Sequence, residues 1–246
     1  MKKPIYLFTI FIFVLAVGYL VNSRLHDQAQ ESLSLPEPSS EISLPSSTPT
    51  DQPGTEPLKS AYLISGFSFQ SQAPLGNWDA LHEEACEEAS LILTKYWLSN
   101  ASLSAQAMEN EIQALVAWEG SHDYPVSITA EQLVAVAKSY YHLGNLSVLN
   151  NVSIEMIKEE IAAGHPVIVP AAGRLLGNPN FTPPGPVYHM VVAIGYDQGN
   201  IIVQDVGTRK GDHYKYNPTI FFNAIHDWAG SPENIEKGSI TVVVVE

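Results

Sequence analysis

The sequence predicts an α+β domain with an antiparallel sheet, and three observations predict it. Apolar residues recur at helical spacing through the first two thirds of the folding region. Short apolar runs punctuated by Gly, Pro and Asn fill the remainder. The two patterns follow one another instead of alternating, over a length that suits one domain.

Two segments precede that domain in the 246-residue chain. Lys2 and Lys3 stand before an uncharged stretch, 4–23, whose run IYLFTIFIFVLAVGYLV approaches the roughly 20 residues needed to cross a bilayer as a helix. The lysines are expected to stay inside and the remainder to face outward. A cleavable signal peptide has a shorter apolar region and a small-residue cleavage site, of which Val21-Asn22-Ser23 is a poor version; no lipidatable cysteine follows. Residues 1–24 are therefore expected to be a signal anchor, giving a single-pass cell-membrane protein whose C-terminal domain lies outside the cytoplasm. Cleavage would instead release a secreted protein.

Residues 25–60 read as a disordered linker, rich in Ser, Thr and Glu, with Pro36, Pro38, Pro45, Pro49, Pro53 and Pro57 and neither helical nor strand period. Its thirty-residue core would reach about 90 Å fully extended and about 30 Å as a coil, so its expected role is spacing. The folded domain is expected over 61–246.

Within it, 81–98 places Ala85, Ala89, Ile92 and Tyr96 on overlapping helical faces. A second helix is expected over 105–118. Thr129-Ala130-Glu131-Gln132 has the form of a capping box opening a third, and Ser153 caps a fourth that Gly164 stops. Strands are expected at 166–171, 189–196, 201–205, 213–216 and 240–245, with one more helix at 218–228 whose Phe221, Phe222 and Trp228 read as core.

Lys and Arg total 12 against 26 Asp and Glu, a net charge of −14, with no basic run beyond the first three residues. An electrostatic grip on nucleic acid is excluded by that balance. The single cysteine, Cys86, precludes an intrachain disulfide and is either core filler or a reactive thiol.

Cys86 falls near the start of helix 81–98, where unpaired N–H groups and the helix dipole favour an anion and lower a thiol pKa. Glu83, Glu84, Glu87 and Glu88 crowd the same turn. They disfavour a thiolate if they face it; residues 87 and 88 leave the helix roughly 100° and 200° from residue 86, so they need not. A thiolate needs a histidine partner, and that histidine an orienter. Of eight histidines, His189 stands at the entrance of the strongly apolar strand HMVVAIGYD, followed by a turn and a strand ending in Asp205. A three-residue turn sets Tyr196 against Asn200 and Asp205 against Val191, with Asp205 and His189 on one sheet face; a two-residue turn puts them on opposite faces. Otherwise His189 is a hydrogen-bonded strand-edge histidine and Asp205 an ordinary turn acid. Gln72, a neutral double donor, and the Cys86 N–H suit an oxyanion hole.

His82 and Cys86 stand four residues apart on one helix, but the further ligands a metal needs are missing, so no metal and no cofactor are expected. His82 is expected to be exposed or at a cleft lip. Trp78 either lines a substrate groove or anchors its loop. The long Gly- and Pro-rich loop 173–188, with Asn178, Phe181 and Tyr188, is placed to wall a cleft or to act as a rigid connector.

In chain order, QAPLGNW, CEEAS, GHPVIVPAAG, NPNF, GPVYHMVVAIGYD and DVGTRKG resemble the bacterial papain-like peptidase domains related to the bacteriocin leader-processing peptidases, family thirty-nine of the cysteine peptidases. The resemblance spans about 66–228. It implies a papain-like fold and a cysteine hydrolase acting on peptide or protein substrates. It further implies Cys86 as nucleophile, His189 as base, Asp205 as orienting acid and Gln72 as oxyanion donor. Two departures stand out: the family often has Asp-Pro-Gly where this chain has Asp205-Val206-Gly207, and no transporter module accompanies the domain, so cleavage of double-glycine leaders is not implied. A catalytically silent binding module on the same scaffold is the rival expectation, and an acyl transferase a third.

Overall fold

A computed structural model describes residues 58–246. The expected anchor at 1–24 and most of the expected linker at 25–60 lie outside the described residues.

The chain enters through a short strand, β1 (Tyr62–Leu63), and a loop leading to α1 (Ala80–Glu83) and α2 (Cys86–Leu98). Next come α3 (Ala105–Ser121), α4 (Ala130–Tyr140), β2 (Leu146–Asn150) and α5 (Ile154–Ala163). The second half carries β3 (Val167–Ala172), α6 (Gly173–Leu176), β4 (Tyr188–Tyr196), β5 (Ile201–Gln204), β6 (Tyr214–Tyr216) and α7 (Pro218–Ala224). A 3-10 turn (Pro232–Lys237) precedes β7 (Thr241–Val245). Among the described residues no helix is long and apolar enough to cross a membrane.

The predicted helix stops and starts have the expected chemistry. Thr129 and Gln132 form the reciprocal capping box of α4. The Ser153 hydroxyl accepts from the Met156 N–H at the start of α5, and Gly164 ends that helix at φ +94°. The helix expected over 81–98 is broken in two. Asp79 caps α1 through the His82 N–H, Glu84 N–H closes back on the Leu81 carbonyl, and the Ala89 N–H bonds to the Ala85 carbonyl to begin α2. The break makes Cys86 the first residue of α2, and its N–H has no backbone acceptor among the described residues.

Seven antiparallel strands form one sheet, in the order β2-β7-β3-β4-β5-β6, with β1 joining β4 beyond the end of β3. Strands β3, β4, β5 and β7 are buried along their whole length, which explains their continuous apolar runs in place of alternation. Strand β2 was not among the expected strands; it pairs along its length with β7 near the other end of the domain. Helix α2 docks on β4, with Ala89, Leu91, Ile92 and Leu93 all buried and the Ser90 hydroxyl donating to the Met190 carbonyl at 3.3 Å.

The β4–β5 hairpin fixes the site. Tyr196 pairs with Ile201, so the turn holds four residues instead of three. A bulge between Ala193 and Gly195 then takes up one residue on β4, and the register becomes Val192 opposite Gln204. One step on, Asp205 falls opposite Val191, the position the three-residue turn was expected to give, and shares the sheet face of His189.

Candidate active site

His189 Nε2 lies 2.8 Å from Asp205 Oδ1, and both residues are buried. That leaves Nδ1 of the imidazole without a hydrogen-bond partner among the described residues. The ring stands edge-on to Phe181, with centroids 5.2 Å apart. The ring also lies against Gly207, where a Cβ would come within 2.7 Å of the imidazole Cε1 and 2.9 Å of both Nε2 and Phe181 Cε1. The glycine is therefore required by close approach of the ring.

Four donors surround the Asp205 carboxylate. Oδ1 accepts from His189 and from the Gly207 N–H at 3.0 Å; Oδ2 accepts from the Asn178 amide at 2.9 Å and the Tyr216 hydroxyl at 2.5 Å. Burial would raise this carboxyl, but the His189 charge and these hydrogen bonds outweigh it and hold it below its ordinary range. Asn178, expected as a cleft residue, stands behind the acid instead and orients it. At the Val206 departure, the buried Val206 accepts at its carbonyl from the Gln72 N–H at 2.9 Å, and the Gly207 N–H still reaches Asp205 Oδ1.

Cys86 sits at the end of α2 that docks beside Met190, next to His189 in β4. Its thiol donates to Glu87 Oε2 at 2.9 Å. Of the two cases left open by helix geometry, Glu87 takes the unfavourable one: its Cα–Cβ direction leaves the thiol, but the side chain folds back to it. Glu87 and Glu88 are both buried. Burial first, and then Glu87 and Glu88, push the Cys86 thiol well up, while a hydrogen bond from the Met190 backbone pulls the other way. The lowered thiol pKa expected from the helix N-terminus is overridden by burial, and then by the two carboxyl groups. Burial pushes Glu87 itself up to about 7, and burial, Glu87 and Glu119 push Glu88 well above its ordinary value.

Gln72 is 3% exposed and lies at the cleft. Its Nε2 donates to the carbonyls of His82 at 2.7 Å and Glu83 at 3.1 Å, and its Oε1 has no partner among the described residues. Both amide protons thus hold the α1–α2 break. His82 is buried, not at a cleft lip, with Nδ1 2.7 Å from Asp79 Oδ1 and Nε2 3.1 Å from Glu109 Oε2. It ties the same break to α3.

A cleft of about 380 Å³ is lined among others by Gln72, Trp78, Phe181, Tyr188, His189 and Trp228, while the buried Cys86 thiol lies beneath its surface and is not among the lining residues. Trp78 remains 37% exposed and presents its ring to the cleft. The Tyr188 ring lies 5.4 Å from that of Trp228, and its hydroxyl donates to the Ile128 carbonyl at 2.9 Å with Asp227 Oδ1 at 3.2 Å. Trp228, expected in the core on a helix, follows α7 and walls the cleft, because α7 ends at Ala224. Gly207, Tyr216 and Glu87 were not expected at the site. Two of them had a sequence signal: Gly207 in its place two residues after the acid, and Glu87 in its place beside Cys86.

The Peptidase_C39 like family model matches residues 64–231, which contain every one of these groups. The chain belongs to that family. Members of this cysteine peptidase family supply the reaction class, and the match confirms the resemblance read from the sequence motifs. Solved structures similar to this Peptidase_C39 like chain include one described as that of a C39-like peptidase from Bacillus anthracis, at 16% identity and TM-score 0.48, covering 76% of this chain and 98% of that one. Xylellain, a cysteine protease from Xylella fastidiosa, is 12% identical, with TM-score 0.40 and coverage of 80% and 90%. A Carica candamarcensis cysteine protease in complex with E-64 is 14% identical, with TM-score 0.36 and coverage of 75% and 97%. No curated protein matches the sequence.

Proposed function

We propose that the chain cleaves peptide or amide bonds through Cys86, His189 and Asp205, in a domain tethered outside the cytoplasm by its N-terminal segment. The observation that carries the catalytic reading is the buried His189–Asp205 pair, which leaves the second imidazole nitrogen unpartnered at the wall of a cleft beside the Cys86 helix. The tether rests on the apolar run at 4–23 and the Pro-rich linker after it.

The reaction begins when the thiol turns from Glu87 to His189. His189 Nδ1 takes the thiol proton, and the thiolate attacks the substrate carbonyl carbon. The Cys86 N–H, which has no backbone acceptor, donates to the oxyanion; Gln72 joins it once one of its amide protons leaves the 82 or 83 carbonyl. The tetrahedral species collapses as His189 returns its proton to the leaving amine. Water, deprotonated by His189, then attacks the thioester, and collapse expels the Cys86 thiol and a carboxylic acid. Asp205 holds the imidazole in the tautomer with Nε2 protonated throughout.

A silent binding module remains the second reading, favoured by one observation: Cys86 and Gln72 are both engaged in hydrogen bonds that catalysis must break. One experiment separates the two. Full-length protein in detergent is incubated with a mixed peptide library, and new termini are mapped by mass spectrometry. Cleavage by wild type that is absent with Cys86→Ala and His189→Ala is the expected result. No cleavage by wild type, with library peptides bound, establishes the binding module.

A further inference from the structure

A second groove, of about 430 Å³, runs on from the catalytic cleft and shares Trp78, Thr182 and Gly207 with it. Its remaining lining includes Asn180, Thr208, Arg209 and Lys210. Two adjacent cations in one groove stand out on a chain whose net charge is −14. Lys95 and Lys215 are paired with Glu111 and Asp197. Arg209 and Lys210 are exposed and form no ion pair among the described residues. Their charge is therefore available to a ligand.

The turn carrying them is fixed to the acid of the catalytic pair. The Gly211 N–H bonds to the Thr208 carbonyl at 3.2 Å, and the Lys210 N–H to the Thr208 hydroxyl at 3.2 Å. The Asp205 N–H donates to the Gly211 carbonyl at 3.0 Å. A Cβ on Gly211 would stand 1.7 Å from the Asp205 carbonyl oxygen, so the turn packs directly on the backbone of the acid and only glycine fits there. From this base the Arg209 guanidinium reaches across toward the loop that carries Trp78, within 3.6 Å of where a Cβ on Gly76 would be. Glu83 and Glu84 line the catalytic cleft but not the second groove. An anionic group is thus repelled from the first and attracted into the second.

From this placement we infer that Arg209 and Lys210 form a substrate subsite for a carboxylate, so that the preferred peptide carries Asp, Glu or a free C-terminus on one side of the bond presented to Cys86. The inference rests on the peptide-cleaving reading and adds the charge of its substrate. A peptide strand continuing past Trp78 enters the groove with its backbone beside the Asn180, Thr182 and Thr208 polar groups and its carboxylate toward the guanidinium. Exposed charge contacts of this kind raise affinity modestly, roughly 3- to 30-fold for two of them, and the gain falls with salt.

Full-length Cys86→Ala protein is used to select from a random heptapeptide library made half with free and half with amidated C-termini, alongside the same protein carrying Arg209→Ala and Lys210→Ala. Enrichment of acidic residues or free C-termini that disappears in the triple variant and weakens in 0.5 M salt is the expected result. Selection without acidic enrichment, enrichment that persists in the triple variant, or no selection at all would overturn the subsite. Wild-type cleavage of the same library is scored separately. Cleavage without acidic preference sinks the subsite and leaves the peptidase standing, whereas acidic selection without cleavage does the reverse.

Discussion

The thiol of Cys86 donates its hydrogen bond to the carboxylate of Glu87, 2.9 Å away, inside the protein. A nucleophile at the first position of a helix gains from the dipole, but burial of the thiol, and after it the carboxylate beside it, act in the opposite sense. The resting thiol is therefore kept protonated.

Replacing Glu87 with Gln removes the charge and keeps an oxygen acceptor. The thiol then deprotonates at lower pH, because burial remains but the carboxylate's repulsion is gone. The pH profile of iodoacetamide alkylation is expected to move to lower pH, with a faster reaction wherever the thiolate is scarce. An unmoved profile would show that burial alone sets the thiol.

The Asp205 carboxylate is held by four donors, from Asn178, His189, Gly207 and Tyr216. Asp205→Asn keeps the shape but presents an amide to His189 Nε2, so it disturbs the tautomer and loses the charge facing the imidazolium. A fall in kcat of roughly 10²- to 10⁴-fold is expected, by analogy with triads of the same logic. Asn178→Ala removes one of the two donors to Oδ2 and is expected to cost about 1–3 kcal/mol of stability, measured by denaturant unfolding. A stable Asn178→Ala protein with unchanged kcat would remove Asn178 from the positioning of the acid.

Gly207→Ala drives a methyl group to 2.7 Å from His189 Cε1 and 2.9 Å from Phe181 Cε1. The ring must turn or the loop must move, and a displacement near 1 Å at a reacting group costs about 100-fold in rate. The expected outcome is a large loss of kcat with a smaller change in melting temperature. Unaltered activity would show that the loop after Asp205 yields freely.

The hairpin that unites His189 and Asp205 was legible because side-chain direction alternates along a strand, and a count of residues across a turn gives the face. The counting reached the right register by a different route, since the four-residue turn is offset by the bulge at Ala193–Gly195. What escaped was set by rotamers and by contacts distant in sequence. Helical geometry gives the direction in which the Glu87 side chain leaves the backbone, not the fold that returns its carboxylate to Cys86. The Tyr216 hydroxyl reaches Asp205 only because β6 lies beside β5, and nothing in YKYN marks it. His82 looked like a surface residue among glutamates, yet two carboxylates from different helical segments enclose it. Strand β2 is five residues of weak alternation, made a strand by β7 nearly a hundred residues later.

The buried carboxyls give the domain an acid-leaning stability profile. Glu87 titrates near 7 in the folded protein against 4.5 in its ordinary state, and Glu88, Glu119 and Asp227 are also raised, chiefly by burial. Between those two pH values the folded state binds more protons than the unfolded chain, so stability falls as pH rises. Asp205 is lowered, so its contribution is present above about pH 4 and is lost as pH drops below that. Together they place maximal stability near pH 4–5, with a decline toward pH 8 on the order of a few kcal/mol. Denaturant midpoints measured from pH 3 to pH 8 are expected to show that maximum, and Glu87→Gln to flatten the alkaline side. A profile that rises steadily to pH 8 in both proteins would mean that the carboxyls beneath Cys86 are hydrated enough to stay ionised at little cost, and the restraint on the thiol would then be correspondingly weak.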